Sequence, residues 1–492
     1  MTNLTDLLPA GAGGKQVSFT ASGSISSGDT VILNTNGTVS QAGLDSISQS
    51  IGSATTFNAG LTRYTSCAYD ASAQKVVVAY MDDSDSDYGK AIVGTVSGSS
   101  ISFGTEEVFS DYLHIGYQTE VVYDSGSNVV IIAYIEQGAY PTTVVGTVSG
   151  TSISFGTKAR ASSNNSFDNP AIAYSSSSDK FALFYRDDSS GAYLKCRVGT
   201  VSGTSISYGT EVTVKSSVVQ DISCDYDAAN DRIVVSYRDS GNSGYLTCNV
   251  GTISGTSISF GSATVVASES IRYSTTNYTP SPYERVIIGW ALSSGTFAGK
   301  TRVGTVSGSS ISFGTTYTFF SSSRVYYLQA EYDINAEKIV FAWRDGTSPN
   351  YGKLIAGTVT GSTSLSFGSA TTFYSGAVGN EIGLAYDPDD YRIVISYHED
   401  NANRYGKTVL FQNSQSVTNI TTTNFLGIAD AAISSGASGN ITIKGGISTN
   451  VTGLTPNSTY YVQNDGSLST TSSSVTAGKA LSATSINLDY SS

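Results

Sequence analysis

Seven short runs of nearly unbroken hydrophobicity punctuate this chain: KVVVAY (75–80), VVIIAY (129–134), KFALFY (180–185), RIVVSY (232–237), RVIIGW (285–290), KIVFAW (338–343) and RIVISY (392–397). Six residues rich in β-branched and aromatic side chains are too few for a buried helix. They predict strands covered on both faces. Around each run, alternating polar and apolar positions predict three more strands. The second unit shows all four as SISFGTEEVF, YQTEVVYD, NVVIIAYIE and TTVVGTVSG. A tyrosine ahead of a turn gives the register: Tyr69, Tyr123, Tyr174, Tyr226, Tyr278, Tyr332 and Tyr386, spaced by 51 to 54 residues. Seven units therefore cover Ile51 to Asn413. In five of them an aspartate follows the tyrosine (YDASAQK, YDSGSNV, YDAANDR, YDINAEK, YDPDDYR). Its carboxylate is expected to bond turn amides.

A second motif recurs six times, from VGTVSGSSISFG at Val93 to AGTVTGSTSLSFG at Ala356. Ser-Gly-(Ser/Thr)-Ser between two strand patterns reads as a tight hairpin whose glycine takes φ > 0. The expectation is that this hairpin carries the chain from one unit to the next. Four antiparallel strands per unit, seven units and a strand buried on both sides describe an all-β, seven-bladed β-propeller of four-stranded antiparallel blades. LDSISQSIGSATTF before the first unit and GKTVLFQNSQ in the last lack the hairpin, so these ends are expected to meet and close the ring. An open solenoid is the competing architecture, and it needs capping repeats.

The flanks differ. Short alternating stretches broken by Asn-Gly and Asp-Gly turns occupy 15–42 and 424–488. The expected organisation is an N-terminal part (1–50) and a C-terminal part (415–492) of one small split β-domain, with the propeller (51–414) inserted between them. Composition fits: 51 glycines, 32 tyrosines and 18 phenylalanines in 492 residues, with little charge. A formal net charge of −13 with no basic run argues against a nucleic-acid or anionic-membrane partner. No apolar run is long enough to span a bilayer as a helix, and the first residues lack signal-peptide character, so synthesis and folding in a cytosol are expected. Cys67, Cys196, Cys224 and Cys248 form no C-x-x-C pair and read as buried strand residues.

The flanks carry a resemblance. SGDTVILNTNGTVS, GIADAAISSGASGNITIKG, GLTPNSTYYVQNDGSLSTT and AGKALSATSINL, in this order, resemble a small β-domain of tailed-bacteriophage structural proteins, often of marine phages. The resemblance covers roughly 95 residues and leaves the repeats outside it. It implies a virion protein, made in the host cytoplasm: a tail fibre or spike, trimeric through its terminal domain, contacting other virion proteins. The propeller would then be displayed for attachment to a host-surface glycan or receptor. A capsid-surface decoration or head-fibre protein is the alternative station, and a virion-associated glycan-active enzyme the further alternative.

Candidate chemistry is sparse. His114 and His398 sit in no metal or triad pattern, and no nucleophile elbow or phosphate loop occurs, so the chain is not expected to be an enzyme. MDDSDSDYGK places Asp83, Asp85 and Asp87 on alternate positions, a cue for Ca²⁺, the one cofactor the chain suggests. Arg186, Arg238 and Arg344 each follow the terminal aromatic of a buried run. Converging on one face, they would clamp a carboxylate, as on an acidic sugar. Paired with the adjacent Asp187, Asp239 and Asp345, they would instead be solvated ion pairs. Tyr80, Tyr134, Tyr185, Tyr237, Trp290, Trp343 and Tyr397 share one register and are expected to pack between blades.

Overall fold

The computed structural model describes residues 15–113, 119–361 and 363–489. They divide into two compact units, 15–48 with 414–489, and the described residues of 49–413. In the smaller unit both ends of the chain interleave in one sheet. Gln16–Thr20 pairs with Ser438–Ile443, and Thr30–Leu33 pairs with Phe425–Ala429. Alternation sends Val31 to one face of this sheet and Ile32 to the other, and each lies in its own apolar cluster. A second sheet, Ile447–Ser448 to Ser485–Leu488, supplies the rest of the Ile32 cluster.

The larger unit is a seven-bladed propeller of four-stranded antiparallel blades. Blade 1 runs from its inner strand Thr62–Asp70 through Lys75–Asp82 and Tyr88–Ser97 to an outer strand in two halves, Ser100–Phe103 and Glu107–Ser110. The hydrophobic run is the second strand. Its alternate residues face different neighbours: Val76, Val78 and Tyr80 pack towards blade 7, whereas Val77, Ala79 and Met81 pack towards blade 2. Two-sided burial is thus the contact of one blade with both of its neighbours. The aromatic register behaves as expected, since all seven side chains are at most 1% exposed.

The hairpin motif does not join blades. It links the third strand to the outer strand of one blade, with Ser97 opposite Ser100. A two-residue turn returns the chain only to a hydrogen-bonded neighbour, and crossing to the next blade takes a longer segment. Consequently SISFGTEEVF belongs to the blade before the one that the tyrosine register suggested. Gly98 at the turn has φ +60°, and its five counterparts fall between +60° and +80°. The glycine that ends the motif has another purpose: a Cβ at Gly156 would lie 1.9 Å from the carbonyl oxygen of Thr204 in the next blade's hairpin.

The ring closes where the two ends were expected to meet. Ser50–Ile51 and Thr55–Asn58 pair with Gly406–Gln412 and form the outer strand of blade 7. The register tyrosines stitch neighbouring blades. The Tyr174 hydroxyl accepts from Gly126 N (2.9 Å), that of Tyr278 accepts from Ala229 N (3.2 Å), and that of Tyr386 donates to Asn335 Oδ1 (2.7 Å). Tyr69 bonds Asp389 across the closure. The following aspartates take their turn role: Asp70 Oδ1 accepts from Ser72 N and Ala73 N, both at 3.0 Å.

Candidate functional site

The inner strands surround a cavity of about 830 Å³. An inner strand has a free edge, whose backbone groups need partners. Side chains of the preceding blade supply them. Ser66 Oγ accepts from Val121 N (3.2 Å), Ser223 Oγ accepts from Thr276 N (2.9 Å), Asp225 Oδ2 accepts from Tyr278 N (2.6 Å), and Asn277 donates to Ala330 O (2.8 Å). The residue before each register tyrosine is polar in three successive blades, as Asp225, Asn277 and Glu331, but Ala or Val in the other four. One side of the cavity is therefore polar at this level and the opposite side apolar.

Burial acts on carboxyls all around this cavity. Glu120, Glu331 and Glu381 are each pushed up to about 8 by desolvation, with Asp225 adding like-charge repulsion at Glu331. Asp168 rises to about 7, through burial and then the charge of Asp221, and Asp225 rises to about 6 through burial. None of these residues was singled out in the sequence. Aligning the units on the tyrosine and reading one and three positions back would have shown Asp225, Glu331 and Glu120.

Five residues before the register tyrosine the inner strand bulges. Tyr64, Asp221, Tyr273, Tyr327 and Glu381 all have φ between +52° and +59° there. Non-glycine residues hold the left-handed region only where surrounding bonds enforce it. These bulges bring Tyr64, Tyr273 and Tyr327 to one mouth of the cavity. The rings of Tyr273 and Tyr327 lie 4.9 Å apart, and the Arg344 guanidinium is 5.8 Å from the Tyr327 ring centre.

The three candidate arginines stand one residue before the ends of the second strands and do not themselves line the cavity, although Asp168 and Asn380, which two of them meet, do. Arg186 pairs with Asp188 (2.9 Å) and Asp168 (3.6 Å), Arg238 Nη1 donates to Gln220 Oε1 (2.7 Å), and Arg344 reaches Asn380 Oδ1 (2.8 Å) and Asp400 (3.5 Å) in blade 7. Among the described residues no two of them share a partner. None pairs with its sequence neighbour, because successive strand residues point to opposite faces. Asp187 instead accepts from Ser189 N (3.0 Å), Asp239 pairs with Lys215 (2.7 Å), and Asp345 accepts from Thr347 N (3.0 Å). The same register holds Met81, Ile135, Ala291 and His398 in the other blades. His114 lies outside the described residues.

The D-x-D-x-D stretch does not assemble as a Ca²⁺ loop. Asp83 pairs with Arg63 (2.8 Å) and Arg404 (3.3 Å), and Asp85 pairs with Lys90 (2.9 Å). Asp87 is raised by burial and by Asp83, and it takes φ +61° in the hairpin. The cations already present neutralise two of the three carboxylates. Among the described residues no group of three or more His, Cys, Asp or Glu side chains is placed to hold a metal.

The propeller is similar to the BP39L lectin from Burkholderia pseudomallei, with TM-score 0.58 over 73% of this chain and 98% of that one, at 6% identity. A looser likeness is to a triple arginine-to-alanine mutant of AofleA from Arthrobotrys oligospora (TM-score 0.43, 8% identity, 72% and 96% of the two chains). A single-residue mutant of the Aleuria aurantia lectin, in complex with Fucα1-6GlcNAc, is looser again (TM-score 0.40, 12% identity, 64% and 97%). At these identities the likeness is one of fold. No family model and no curated protein matches the chain.

Proposed function

We propose that the propeller is a carbohydrate-binding module without turnover, carried on a bacteriophage tail fibre or spike by the split terminal domain. The observation that carries the binding half is the cavity mouth. Tyr273 and Tyr327 stand there part-exposed, with Arg344 beside Tyr327, over a wall of amides, hydroxyls and carboxyls. Aromatic faces take the C–H surface of a sugar, and planar polar groups take its hydroxyls. Similarity of fold to the BP39L lectin supports the same reading. The virion half rests on the resemblance of the flanks. It is supported by a topology in which both ends of the propeller chain leave from blade 7 into one interleaved domain. Held in several copies, a weakly binding mouth gains apparent affinity through effective concentration.

Glycan-array binding of the full chain, with immunogold labelling of virions by antibody against the propeller, tests both halves. Bound glycans released unchanged, with label at the tail, are expected. Hydrolysis of a bound glycan would overturn the non-catalytic reading. Label over the capsid would move the protein to decoration, and unlabelled particles would remove the virion role.

A further inference from the structure

At the junction of blades 7 and 1 the cavity mouth opens into a small side pocket of about 80 Å³. Tyr64, Asn380 and Glu381 belong to the walls of both spaces. The pocket exists because blade 7 bulges further than its relatives. Val378 pairs with Glu399 and Ile382 with Tyr397, which leaves three residues, 379 to 381, opposite His398 alone. In blades 1, 4 and 6 two residues stand opposite one. Gly379 is required under the imidazole, since a Cβ there would lie 1.9 Å from its Nε2.

His398 occupies the register of Arg186, Arg238 and Arg344 but is only 6% exposed. Its Nδ1 is buried without a hydrogen-bond partner among the described residues, as is Oε2 of Glu381. Two such atoms on one pocket are costly unless a ligand or water meets them. Arg63 and Arg404 line the pocket, and Arg344 reaches it through Asn380 and Asp400; Asp83 pairs with Arg63 and Arg404, and Asp87 stands beside Asp83. Burial raises Glu381, which also lines the pocket, to about 8, so around neutral pH it keeps its proton and can donate a hydrogen bond there. Burial and the guanidiniums of Arg404, Arg63 and Arg344 push His398 down to about 4, so it is neutral and can carry its proton on Nδ1. The pocket therefore offers donors: an imidazole N–H, a carboxyl O–H and the guanidinium groups of Arg63 and Arg404.

A water takes a share of about 30 Å³ in the liquid, so this volume admits a carboxylate or sulfate group and excludes a pyranose ring. We propose that the pocket seats the anionic group of an acidic sugar, carboxylate or sulfate ester, whose ring lies in the adjoining mouth beside Tyr64 and Tyr327. This assignment rests on the carbohydrate-binding reading above and names the class of glycan it selects.

The test uses the full chain on an array of neutral, carboxylated and sulfated glycans, with inorganic sulfate as a free competitor. Binding confined to acidic glycans is expected. Arg404→Gln, on a surface hairpin, removes a charge-assisted donor and is expected to weaken that binding roughly tenfold or more. Arg404→Lys should restore part of it. Asn380→Asp places a negative charge on the rim and should weaken binding comparably. Arg160→Gln, in the blade 2 cluster with Glu136 and Tyr140, should change nothing. Neutral glycans bound with an affinity that R404Q and N380D leave unchanged would overturn the anion seat and keep the carbohydrate reading. Sulfate bound in an Arg404-dependent way, with no glycan bound, would overturn the sugar and leave a bare anion site. No binding of any probe would overturn both.

Discussion

Phe57→Ala is expected to destabilise the propeller by about 3–5 kcal/mol, the cost of truncating a buried aromatic that its surroundings cannot fill in. Phe57 is 7% exposed and sits in the outer strand that the N-terminal segment lends to blade 7. Its ring centre lies 5.1 Å from that of Tyr80 and 5.9 Å from that of Phe103, both in blade 1. Gly406 leaves it room, because a Cβ there would approach Phe57 Cε2 to 2.5 Å. Phe109, Phe319 and Phe373 repeat this arrangement over Gly89, Gly299 and Gly352. Phe319→Ala is therefore the control, with a similar loss of packing. The two variants should differ in where the structure opens. Blade 5 owes its outer strand to the adjoining chain, whereas blade 7 borrows its own from residues more than 340 positions away in sequence, so no short covalent connection holds the seam. Urea unfolding should show comparable losses in both variants. Native-state hydrogen exchange should speed up selectively at Thr55–Asn58 and Gly406–Gln412 in Phe57→Ala alone. Uniform exchange in both variants would mean that the seam is no weaker than any other blade contact.

The seven blades were legible because they rest on local, repeated physics: a strand buried on both faces, a turn aspartate and a hairpin glycine. The phase of the blades was not. Periodicity gives the length of a unit but not where one blade stops, and only pairing Ser97 with Ser100 shows that the hairpin stays within its blade. The same limit governs the site. Asp83, Asp85 and Asp87 look like one ligand set along the chain, yet Arg404, more than 300 residues away, takes up Asp83. Arg344 and Asp345 look like a pair, yet they point to opposite faces and find partners elsewhere. His398 read as a lone histidine because its setting depends on Arg63 and Asn380 from other strands. The channel carboxyls stood in alignable columns, but their protonation depends on burial, which sequence register alone does not reveal.

That burial makes the propeller more stable in mild acid than in mild alkali. Between about pH 5.5 and about pH 8.5 a loss of about 3 kcal/mol is expected, taking about 1 kcal/mol for each of Glu120, Glu331 and Glu381 after discounting for water in the channel. The sign follows from linkage. In the unfolded chain these glutamates ionise near 4.5, and in the fold only near 8. Between those values the unfolded state is charged at no cost, while the folded state must hold a proton or ionise in the channel. Their contribution is thus complete below about 4.5 and is lost as the pH rises through about 8. Asp168 and Asp225, raised to about 7 and about 6, act in the same direction and finish earlier. His398 opposes them as one group. Its folded value near 4 lies below the ordinary 6.5, so its penalty grows only as the pH falls between those values. Asp111, held down by its bond from Lys158, matters only below the ordinary carboxylate range. Urea midpoints at the two pH values give the slope. Glu120→Gln, Glu331→Gln and Glu381→Gln together replace three titrating acids by permanently neutral amides of the same shape, and they should flatten most of it. A slope unchanged in the triple variant would show that these carboxyls ionise freely inside the fold, with the channel as well hydrated as the outer surface.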